Sequence, residues 1–210
     1  MTKALLLDLD NTLILYNEPA FLQQYFAKLA TAFGDLIPPD NLSERILLST
    51  MALSSNDGFL NNSDYFMNTF LDPGADRRQV WDRFLTFYQT GYRELLPACS
   101  PPDGFDDVFT DLRAKDVKLV LATNPIYPLA AYEHRLSWVG LAPSDFDHVT
   151  HIENVGFVKP NPGYFRQICE TIQIAPQSCL MVGNDPVYDI AACAIGIRTY
   201  LTTDAPESDF

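Results

Sequence analysis

The sequence predicts an α/β fold, with a mostly parallel sheet, helices on both of its faces, and an all-helical insert after the first strand. Two observations support this prediction. Five short apolar segments have the composition of buried strands, and from the second onward they alternate with segments of helical periodicity. Between the first and the second strand lies the stretch 18–96, in which only helical patterns occur.

The five predicted strands are apolar runs bounded by polar or turn-forming residues. They are Lys3–Leu9, Val117–Ala122, His148–Ile152, Cys179–Val182 and Ile197–Leu201. Strands joined by helices form right-handed crossovers, which place neighbouring strands parallel. We therefore expect a three-layer core in which helices cover both faces of a mostly parallel sheet.

Apolar residues at helical spacing mark the predicted helices. The clearest sets between strands are Phe105, Val108, Phe109 and Leu112, and Phe165, Ile168, Cys169 and Ile172. The clearest sets in the stretch 18–96 are Leu22, Tyr25, Phe26, Leu29 and Phe33, and Val80, Phe84, Phe87 and Tyr88. We name this stretch the helical insert and expect most of its aromatic side chains to form its own core.

The domain boundaries follow from this pattern. We expect one domain formed by residues 1–17 and 97–210 and a second formed by the helical insert, residues 18–96. The expected hinges are Leu15–Pro19 and the proline-rich segment Leu96–Gly104. The tail Thr202–Phe210 has no strand or helix pattern, and we expect it to fray.

The chain has 210 residues and a formal net charge of −13. It contains no basic run that could neutralise phosphates, so its composition argues against nucleic acid or an anionic membrane as a partner. The four cysteines, Cys99, Cys169, Cys179 and Cys193, show no paired spacing and indicate a reducing compartment. No signal peptide or membrane-length apolar run is present, so we expect a cytoplasmic protein; nothing in the sequence indicates its oligomeric state.

Two aspartates directly follow the first apolar run. Asp8 and Asp10 come after Ala4–Leu7, and side chains two apart on a strand point in the same direction. Two carboxylates so close at the end of a buried strand repel each other, and a divalent cation between them would remove that repulsion. A second interpretation is a strand-to-helix loop in which an aspartate caps the helix.

Polar residues also follow the second and the fourth predicted strand. Thr123–Asn124 ends the second strand, and Gly183–Asp185 ends the fourth. Ligands of open parallel sheets bind beyond the carboxyl ends of the strands. We therefore expect these segments to meet the two aspartates at one edge of the sheet.

Together with Lys159–Pro160, these segments make four motifs whose order and spacing resemble those of the haloacid dehalogenase superfamily of phosphatases and phosphotransferases. The resemblance covers essentially the whole chain, because the superfamily also carries a helical cap inserted after the first motif. It implies a Rossmann-like core, a Mg²⁺ cofactor and a small phosphorylated metabolite as substrate.

The resemblance also implies a role for each motif. Asp8 would attack the phosphoryl group and become an aspartyl-phosphate, which divides one hard displacement into two easier ones. Asp10 would donate a proton to the leaving oxygen and later take one from water, a role worth about 10²–10⁴ in rate. Thr123, Asn124 and Lys159 would bind the phosphoryl group, and Lys159 would also offset the developing negative charge.

The implied Mg²⁺ ligands are Asp8, the backbone carbonyl of Asp10 and the fourth motif. One departure from the superfamily pattern concerns that motif, since Asn184 stands where an aspartate usually follows the glycine. An asparagine offers an oxygen without a charge, and we expect Asp185 to supply the missing acid. Asp189 is the weaker candidate, because it can instead cap the following helix or hold the lysine of the third motif.

The favoured function is a Mg²⁺-dependent phosphatase, and three alternatives stay open. A haloacid dehalogenase uses the same nucleophile but needs no acid at the second position, so Asp10 argues against it. A phosphomutase shares all four motifs. A catalytically weak regulatory or binding member is kept open by Asn184. Specificity in the superfamily is set by the cap, and no pattern indicates a substrate among its basic residues, Lys28, Arg45, Arg77, Arg78, Arg83 and Arg93.

Overall fold

The structure, a computed structural model, describes residues 1–95 and 99–202, without the side chains of residues 39 and 40. Most of the tail that we expect to fray, and residues 96–98 of the second predicted hinge, lie outside the described residues. The strands are β1 (Ala4–Leu7), β2 (Leu15–Tyr16), β3 (Cys99–Ser100), β4 (Lys118–Leu121), β5 (His148–Val149), β6 (Cys179–Gly183) and β7 (Arg198–Leu201).

Seven α-helices occur in the described part of the chain. They are α1 (Glu18–Phe33), α2 (Pro39–Ala52), α3 (Asn62–Phe70), α4 (Arg77–Gln89), α5 (Phe105–Arg113), α6 (Leu129–Ser137) and α7 (Pro162–Ile172). Short 3₁₀ turns are Leu53–Ser55, Tyr92–Glu94, Pro143–Asp145, Pro176–Ser178 and Ile190–Ile195. Each of the four helical patterns described from the sequence corresponds to one of these helices.

Five strands form one parallel sheet in the order β5-β4-β1-β6-β7. The first strand is central, so that Leu7 pairs with Leu121 of β4 on one side and with Val182 of β6 on the other. The prediction of a mostly parallel sheet is confirmed, and the five predicted strands are its five members. We call the edge at which these strands end the carboxyl edge.

Helices cover both faces of the sheet, as predicted. On one face Leu6 packs in a cluster with Phe165 and Ile168 of α7. On the other face Leu7 belongs to a cluster that includes Phe109 of α5 and Leu136 of α6. The arrangement is therefore the expected three-layer α/β fold, because alternate residues of the central strand are buried on opposite sides.

The helical insert consists of α1 to α4 and contains no strand within its described residues, 18–95. Its two connections to the rest of the chain form a short antiparallel ribbon that the sequence does not predict. In this ribbon Leu15 pairs with Ser100 and Tyr16 pairs with Cys99. Strands of two residues are too short to show an alternating apolar pattern, so the sequence indicates only hinges at these two positions.

The insert and the sheet domain are joined by one continuous apolar cluster. Tyr25 of α1 and Tyr88 of α4 both have ring centroids 6.0 Å from that of Tyr127, which follows β4. The hydroxyls of Tyr25 and Tyr88 also lie 2.6 Å apart. The aromatic side chains of the insert therefore build the junction with the core as well as the interior of the insert. The domain boundaries at 17/18 and 96/97 stay a prediction.

The cysteines and the helices agree with two further sequence observations. None of the four cysteines forms a disulfide, and Cys169 and Cys179 are buried. Among the helices within the described ranges, none has the length and apolar character needed to cross a membrane.

Candidate active site

Asp8 lies at the carboxyl edge, immediately after β1. Its backbone N–H donates to the carbonyl of Val182 at 2.9 Å, and the N–H of Ala122 donates to the carbonyl of Leu7 at 2.7 Å. These bonds continue the pairing of β1 with both neighbouring strands, so the sheet itself fixes the position of Asp8. The residue is 7% exposed.

Lys159 is placed against Asp8 by the segment between β5 and α7. Its Nζ donates to Asp8 Oδ1 at 2.8 Å and to Asp189 Oδ1 at 2.6 Å, and its side chain is 1% exposed. Burial lowers the pKa of Lys159, but the two carboxylates raise it and prevail, so the pKa lies above its usual value. The ammonium is therefore charged at neutral pH and is shared between two acids.

Asp8 has less positive charge around it than a buried carboxylate needs. Burial raises its pKa from 3.8 to about 7, Lys159 opposes the rise, and the charges of Asp189 and Asp10 add to it. An additional cation beside Asp8 would favour its ionised form, which is the form that acts as a nucleophile.

Asp189 reaches Lys159 by passing over Gly183, the last residue of β6. A Cβ atom on Gly183 would lie 2.1 Å from Asp189 Oδ2, closer than any side chain tolerates. The same oxygen accepts the backbone N–H of Asp185 at 2.9 Å. The glycine of the fourth motif is therefore required by the close approach of this carboxylate. Of the roles that the sequence left open for Asp189, the structure shows the one in which it holds Lys159.

Asp185 closes the loop after β6. Its Oδ1 accepts the backbone N–H groups of Val187 at 2.7 Å and Tyr188 at 2.8 Å. Its Oδ2 makes no hydrogen bond to any of the residues that the structure describes. One oxygen thus has a structural role, and the assignment of Asp185 as a metal ligand stays a prediction.

Thr12 connects the first motif to the fourth. Its Oγ1 lies 3.3 Å from Asn184 Oδ1 and 3.4 Å from Asp8 Oδ2. Both contacts are long for O–H···O hydrogen bonds, and one hydroxyl proton cannot serve both acceptors fully. The carboxylate oxygen and the amide oxygen therefore face the same small region at the carboxyl edge.

Thr123 and Asn124 lie beside Lys159, and the structure gives each a fixed backbone. The carbonyl of Thr123 accepts the hydroxyl of Tyr164 at 2.7 Å, while Thr123 Oγ1 has no partner among the described residues. Asn124 Oδ1 accepts the backbone N–H of Lys159 at 3.2 Å. Asn124 therefore positions the backbone of the third motif.

Asp10 is bound by an arginine that the sequence analysis missed. Arg135 Nη2 donates to Asp10 Oδ1 and, at 2.8 Å, to the hydroxyl of Tyr16. The arginine side chain is 1% exposed, whereas that of Asp10 is 36% exposed. Asp10 therefore presents its carboxylate at the mouth of the site with its direction set by a buried cation.

Arg135 is enclosed by aromatic rings from both parts of the molecule. Its guanidinium carbon lies 5.4 Å from the ring centroid of Tyr16, 5.5 Å from that of Phe21 in the insert and 5.7 Å from that of Tyr127. A signal for it exists in the sequence. Arg135 falls in the apolar stripe of α6, whose buried residues are Ala131, Tyr132, Arg135 and Leu136. A charged residue in such a stripe needs a buried partner.

The carboxyl edge offers oxygen donors of the kind that a hard divalent cation prefers. Asp8 Oδ2 and Asn184 Oδ1 face the same region, and burial raises the pKa of Asp8 although Lys159 opposes the rise. Across residues 1–95 and 99–202, no group of three His, Cys, Asp or Glu side chains could hold a metal ion. The donor set thus fits Mg²⁺ in type, with one carboxylate and one neutral amide among the side chains.

The sequence matches the family model of haloacid dehalogenase-like hydrolases over residues 2–195. The chain is a haloacid dehalogenase-like hydrolase. The resemblance drawn from the four motifs is therefore confirmed. No curated protein has a sequence that matches this hydrolase.

Several solved structures share the fold of this haloacid dehalogenase-like hydrolase. The HAD family enzyme BT-2542 from Bacteroides thetaiotaomicron, in complex with magnesium and inorganic phosphate, has a TM-score of 0.59 and 16% identity, over 100% of this chain and 98% of that one. A predicted phosphoglycolate phosphatase from Haemophilus somnus has a TM-score of 0.58 and 17% identity, over 97% of this chain and 86% of that one.

CbbY from Rhodobacter sphaeroides, in complex with phosphate, has a TM-score of 0.57 and 17% identity, over 100% of this chain and 91% of that one. At these identities the similarity is one of fold. It covers the helical insert as well as the sheet, so the all-helical insert after the first strand is confirmed as part of the fold.

Proposed function

We propose that this hydrolase is a phosphatase that removes the phosphoryl group from a small phosphorylated metabolite through an aspartyl-phosphate at Asp8. The observation that carries the proposal is the buried arrangement in which Lys159 Nζ donates to both Asp8 and Asp189, with Thr123 just after the neighbouring strand β4. A nucleophilic carboxylate, a charged ammonium and a hydroxyl donor are the groups that an attack on a phosphoryl group requires.

In the first step a carboxylate oxygen of Asp8 attacks phosphorus, and the bond from phosphorus to the alcohol oxygen breaks. Lys159 and Thr123 Oγ1 bind the phosphoryl oxygens and stabilise the charge that they gain. The protonated carboxyl of Asp10 gives its proton to the leaving oxygen, so the alcohol departs neutral. The products of this step are the free alcohol and the aspartyl-phosphate.

In the second step a water attacks phosphorus and Asp10 takes its proton. The bond from phosphorus to the Asp8 oxygen breaks, inorganic phosphate leaves, and the carboxylate of Asp8 is restored. Arg135 acts in both steps as a positioning residue, because it holds the carboxyl of Asp10 at the mouth of the site. One ionisable group therefore serves as acid and then as base without leaving its position.

Mg²⁺ is the cofactor that this proposal includes, with Asp8, the backbone carbonyl of Asp10 and Asn184 as ligands and Asp185 as an added acid. When bound, the ion would neutralise negative charge on the phosphoryl group and on Asp8. The side chains at the carboxyl edge support this choice, because hard oxygen donors face one region that is short of positive charge. The magnesium and phosphate held by the Bacteroides enzyme support it further.

The test is a comparison of the parent protein with Asp8→Asn on two substrates, 4-nitrophenyl phosphate and 2-chloropropionate, each with and without Mg²⁺. We expect Mg²⁺-dependent phosphate release by the parent, none by the variant, and no chloride release by either. Chloride release would favour a dehalogenase instead. A parent that releases neither product, or a variant that keeps most of the phosphatase activity, would contradict the proposal. Retained circular dichroism would show that the variant is folded.

A further inference from the structure

A cavity of about 220 Å³ lies between the helical insert and the core. All four helices of the insert line it, and the core contributes the segment Ile126–Pro128 and Ile152. That segment begins two residues after Asn124 and leads directly into α6, which carries Arg135. The cavity is therefore bounded by the same chain segments that position the second motif and Asp10.

Two lining residues lie within the electrostatic influence of Asp10. Partial burial and the charge of Asp10 raise the pKa of Glu18, with Arg135 opposing. Burial raises the pKa of Tyr127 to about 12, Arg135 opposes the rise, and Asp10 adds to it. The ring centroid of Tyr127 also lies 5.7 Å from the guanidinium carbon of Arg135, and Arg135 donates to Asp10. A substrate whose leaving oxygen lies at Asp10 would therefore extend its alcohol part toward this cavity.

The cavity is lined mainly by apolar and aromatic side chains. They include Leu22, Phe26, Trp81, Phe84, Ile126 and Ile152. The tyrosines contribute rings more than hydroxyls, because the hydroxyls of Tyr25 and Tyr88 bond to each other. A lining of this kind gains free energy by removing apolar surface of a ligand from water.

Among the described residues no lysine or arginine lines the cavity, and Glu18 is the one carboxylate that does. Five of the six basic residues of the insert instead pair with acids, as Lys28–Glu94, Arg45–Asp72, Arg77–Asp64, Arg78–Asp82 and Arg83–Asp35, and the sixth, Arg93, does not line the cavity. The nearest buried cation, Arg135, is already bound to Asp10. An anionic group in the cavity would therefore be repelled by the carboxylate of Glu18, and it would lose its hydration without gaining a counter-ion.

We propose that this cavity binds the alcohol part of the substrate and selects phosphate monoesters of uncharged, apolar and preferably aromatic alcohols, against esters that carry a second anionic group. This inference rests on the proposed phosphatase function. Esters with a second anionic group would be excluded for two reasons. The carboxylate of Glu18 repels the anion, and no lysine or arginine among the described lining residues neutralises it.

The test uses three phenyl phosphates that differ at the 4-position, which carries ethyl, carbamoylmethyl or carboxymethyl. In the last two compounds a methylene group separates the amide or the carboxylate from the ring. The three phenols are therefore closely matched as leaving groups. We expect kcat/KM to be highest for the ethyl compound and about 10-fold or more lower for the carboxymethyl than for the carbamoylmethyl compound, which has the same shape without the charge. Equal values for those two compounds would overturn the proposal.

Leu47 and Leu48 of α2 provide a matched pair of variants. They are 51% and 58% exposed, so an arginine at either position is compatible with the fold, but only Leu47 lines the cavity. We expect Leu47→Arg to raise kcat/KM for the carboxymethyl compound about 5–10-fold relative to the ethyl compound and Leu48→Arg to leave the ratio unchanged. Equal effects of the two variants would contradict the role of the cavity.

Acetyl phosphate tests the phosphatase function separately from the proposed selectivity, because its leaving group is too small to need the cavity. If the parent hydrolyses acetyl phosphate but does not discriminate among the phenyl phosphates, the phosphatase function stands and the selectivity is wrong. If acetyl phosphate and all phenyl phosphates are left intact, the proposed function fails and the selectivity fails with it.

Discussion

Lys159 Nζ lies 2.6 Å from Asp189 Oδ1, and both side chains are 1% exposed. The same ammonium lies 2.8 Å from Asp8 Oδ1. Asp189 is thus the fixed partner of the lysine, while Asp8 is the partner that the proposed chemistry changes. In the proposed aspartyl-phosphate, an acyl phosphate in which the Asp8 carboxylate has lost its charge, Asp189 would still hold the lysine in place.

Asp189→Asn tests this role. The amide preserves the shape of the side chain but removes the charge, so Lys159 loses one of its two counter-ions. We expect kcat to fall about 10–100-fold, the range typical of groups that orient a charged ligand. The measurement is steady-state hydrolysis of an aryl phosphate, with Asp145→Asn as control, because Asp145 pairs with Arg113 away from the site. Activity equal to that of the parent would contradict the positioning role.

Gly183→Ala should disturb the same lysine indirectly. The added Cβ would meet Asp189 Oδ2 at 2.1 Å, and Asp189 must move, because backbone surrounds the glycine in β6. We expect lost activity and a decrease of about 1–3 kcal/mol in the free energy of unfolding, as for other overpacked sites. In the background Asp189→Gly the clash is absent, so adding Gly183→Ala there should cost much less stability. An equal decrease in the free energy of unfolding in both backgrounds would show that the added Cβ does not clash with Asp189.

Arg135→Lys should change the chemistry of the leaving group more than the overall fold. Lysine keeps the buried charge but cannot donate to Asp10 and Tyr16 with the same fork. We expect alkyl phosphates, whose alcohol needs a proton, to slow at least about 10-fold more than 4-nitrophenyl phosphate. Asp10→Asn should show the same selective loss. Arg113→Lys is the control, since Arg113 also lies over an aromatic ring and pairs with an aspartate. Equal slowing of both substrates would refute the assignment.

The neutral residue in the fourth motif should raise the demand for metal. We expect Asn184→Asp to lower the Mg²⁺ concentration for half-maximal activity about 10-fold, because a second carboxylate would face the region beside Asp8. Asp185→Asn should raise that concentration by a smaller factor, since Oδ1 of residue 185 already accepts two backbone N–H groups. Mg²⁺ titrations of the parent and the two variants measure these changes. An Asn184→Asp curve that overlays the parent curve would contradict the placement of the cation.

Asp8→Asn should stabilise the metal-free protein at alkaline pH. The pKa of Asp8 is raised to about 7 in the folded state, above the unfolded value, so the folded protein binds more protons over this range. The contribution of protonated Asp8 to the free energy of unfolding is therefore lost as the pH rises toward 7. We expect the variant to exceed the parent in free energy of unfolding at pH 8, by about 1 kcal/mol or more beyond any difference at pH 5.5. Urea unfolding in a chelator measures both, and a constant difference would contradict the shift.

The parts of the fold that could be predicted are those in which one local pattern decides the structure. The strand ending at Leu7 is an apolar run, and the helix with Phe165 and Ile168 has a regular apolar stripe. The carboxyl ends of parallel strands necessarily share an edge, so Asp8 and Thr123 could be placed together from the sequence alone.

The parts that could not be predicted depend on contacts between distant segments. Arg135 lies 125 residues from Asp10, and nothing near either residue indicates the pair. The ribbon of Tyr16 and Cys99 is too short to have a period. For Asp189, only the structure distinguishes contact with Lys159 from a cap on the following helix, because both roles suit an acid at that spacing.

The aromatic junction of Tyr25, Tyr88 and Tyr127 has a consequence for the evolution of such hydrolases. An insert that shares its interior with the sheet domain is not an interchangeable module. Transplanting it into a relative would leave the rings around Tyr127 and Trp138 without neighbours, and the recipient would need a new inner face on α6. If the cavity binds the substrate as proposed, single replacements of exposed lining residues such as Leu47 would change the preferred substrate and leave the shared interior intact.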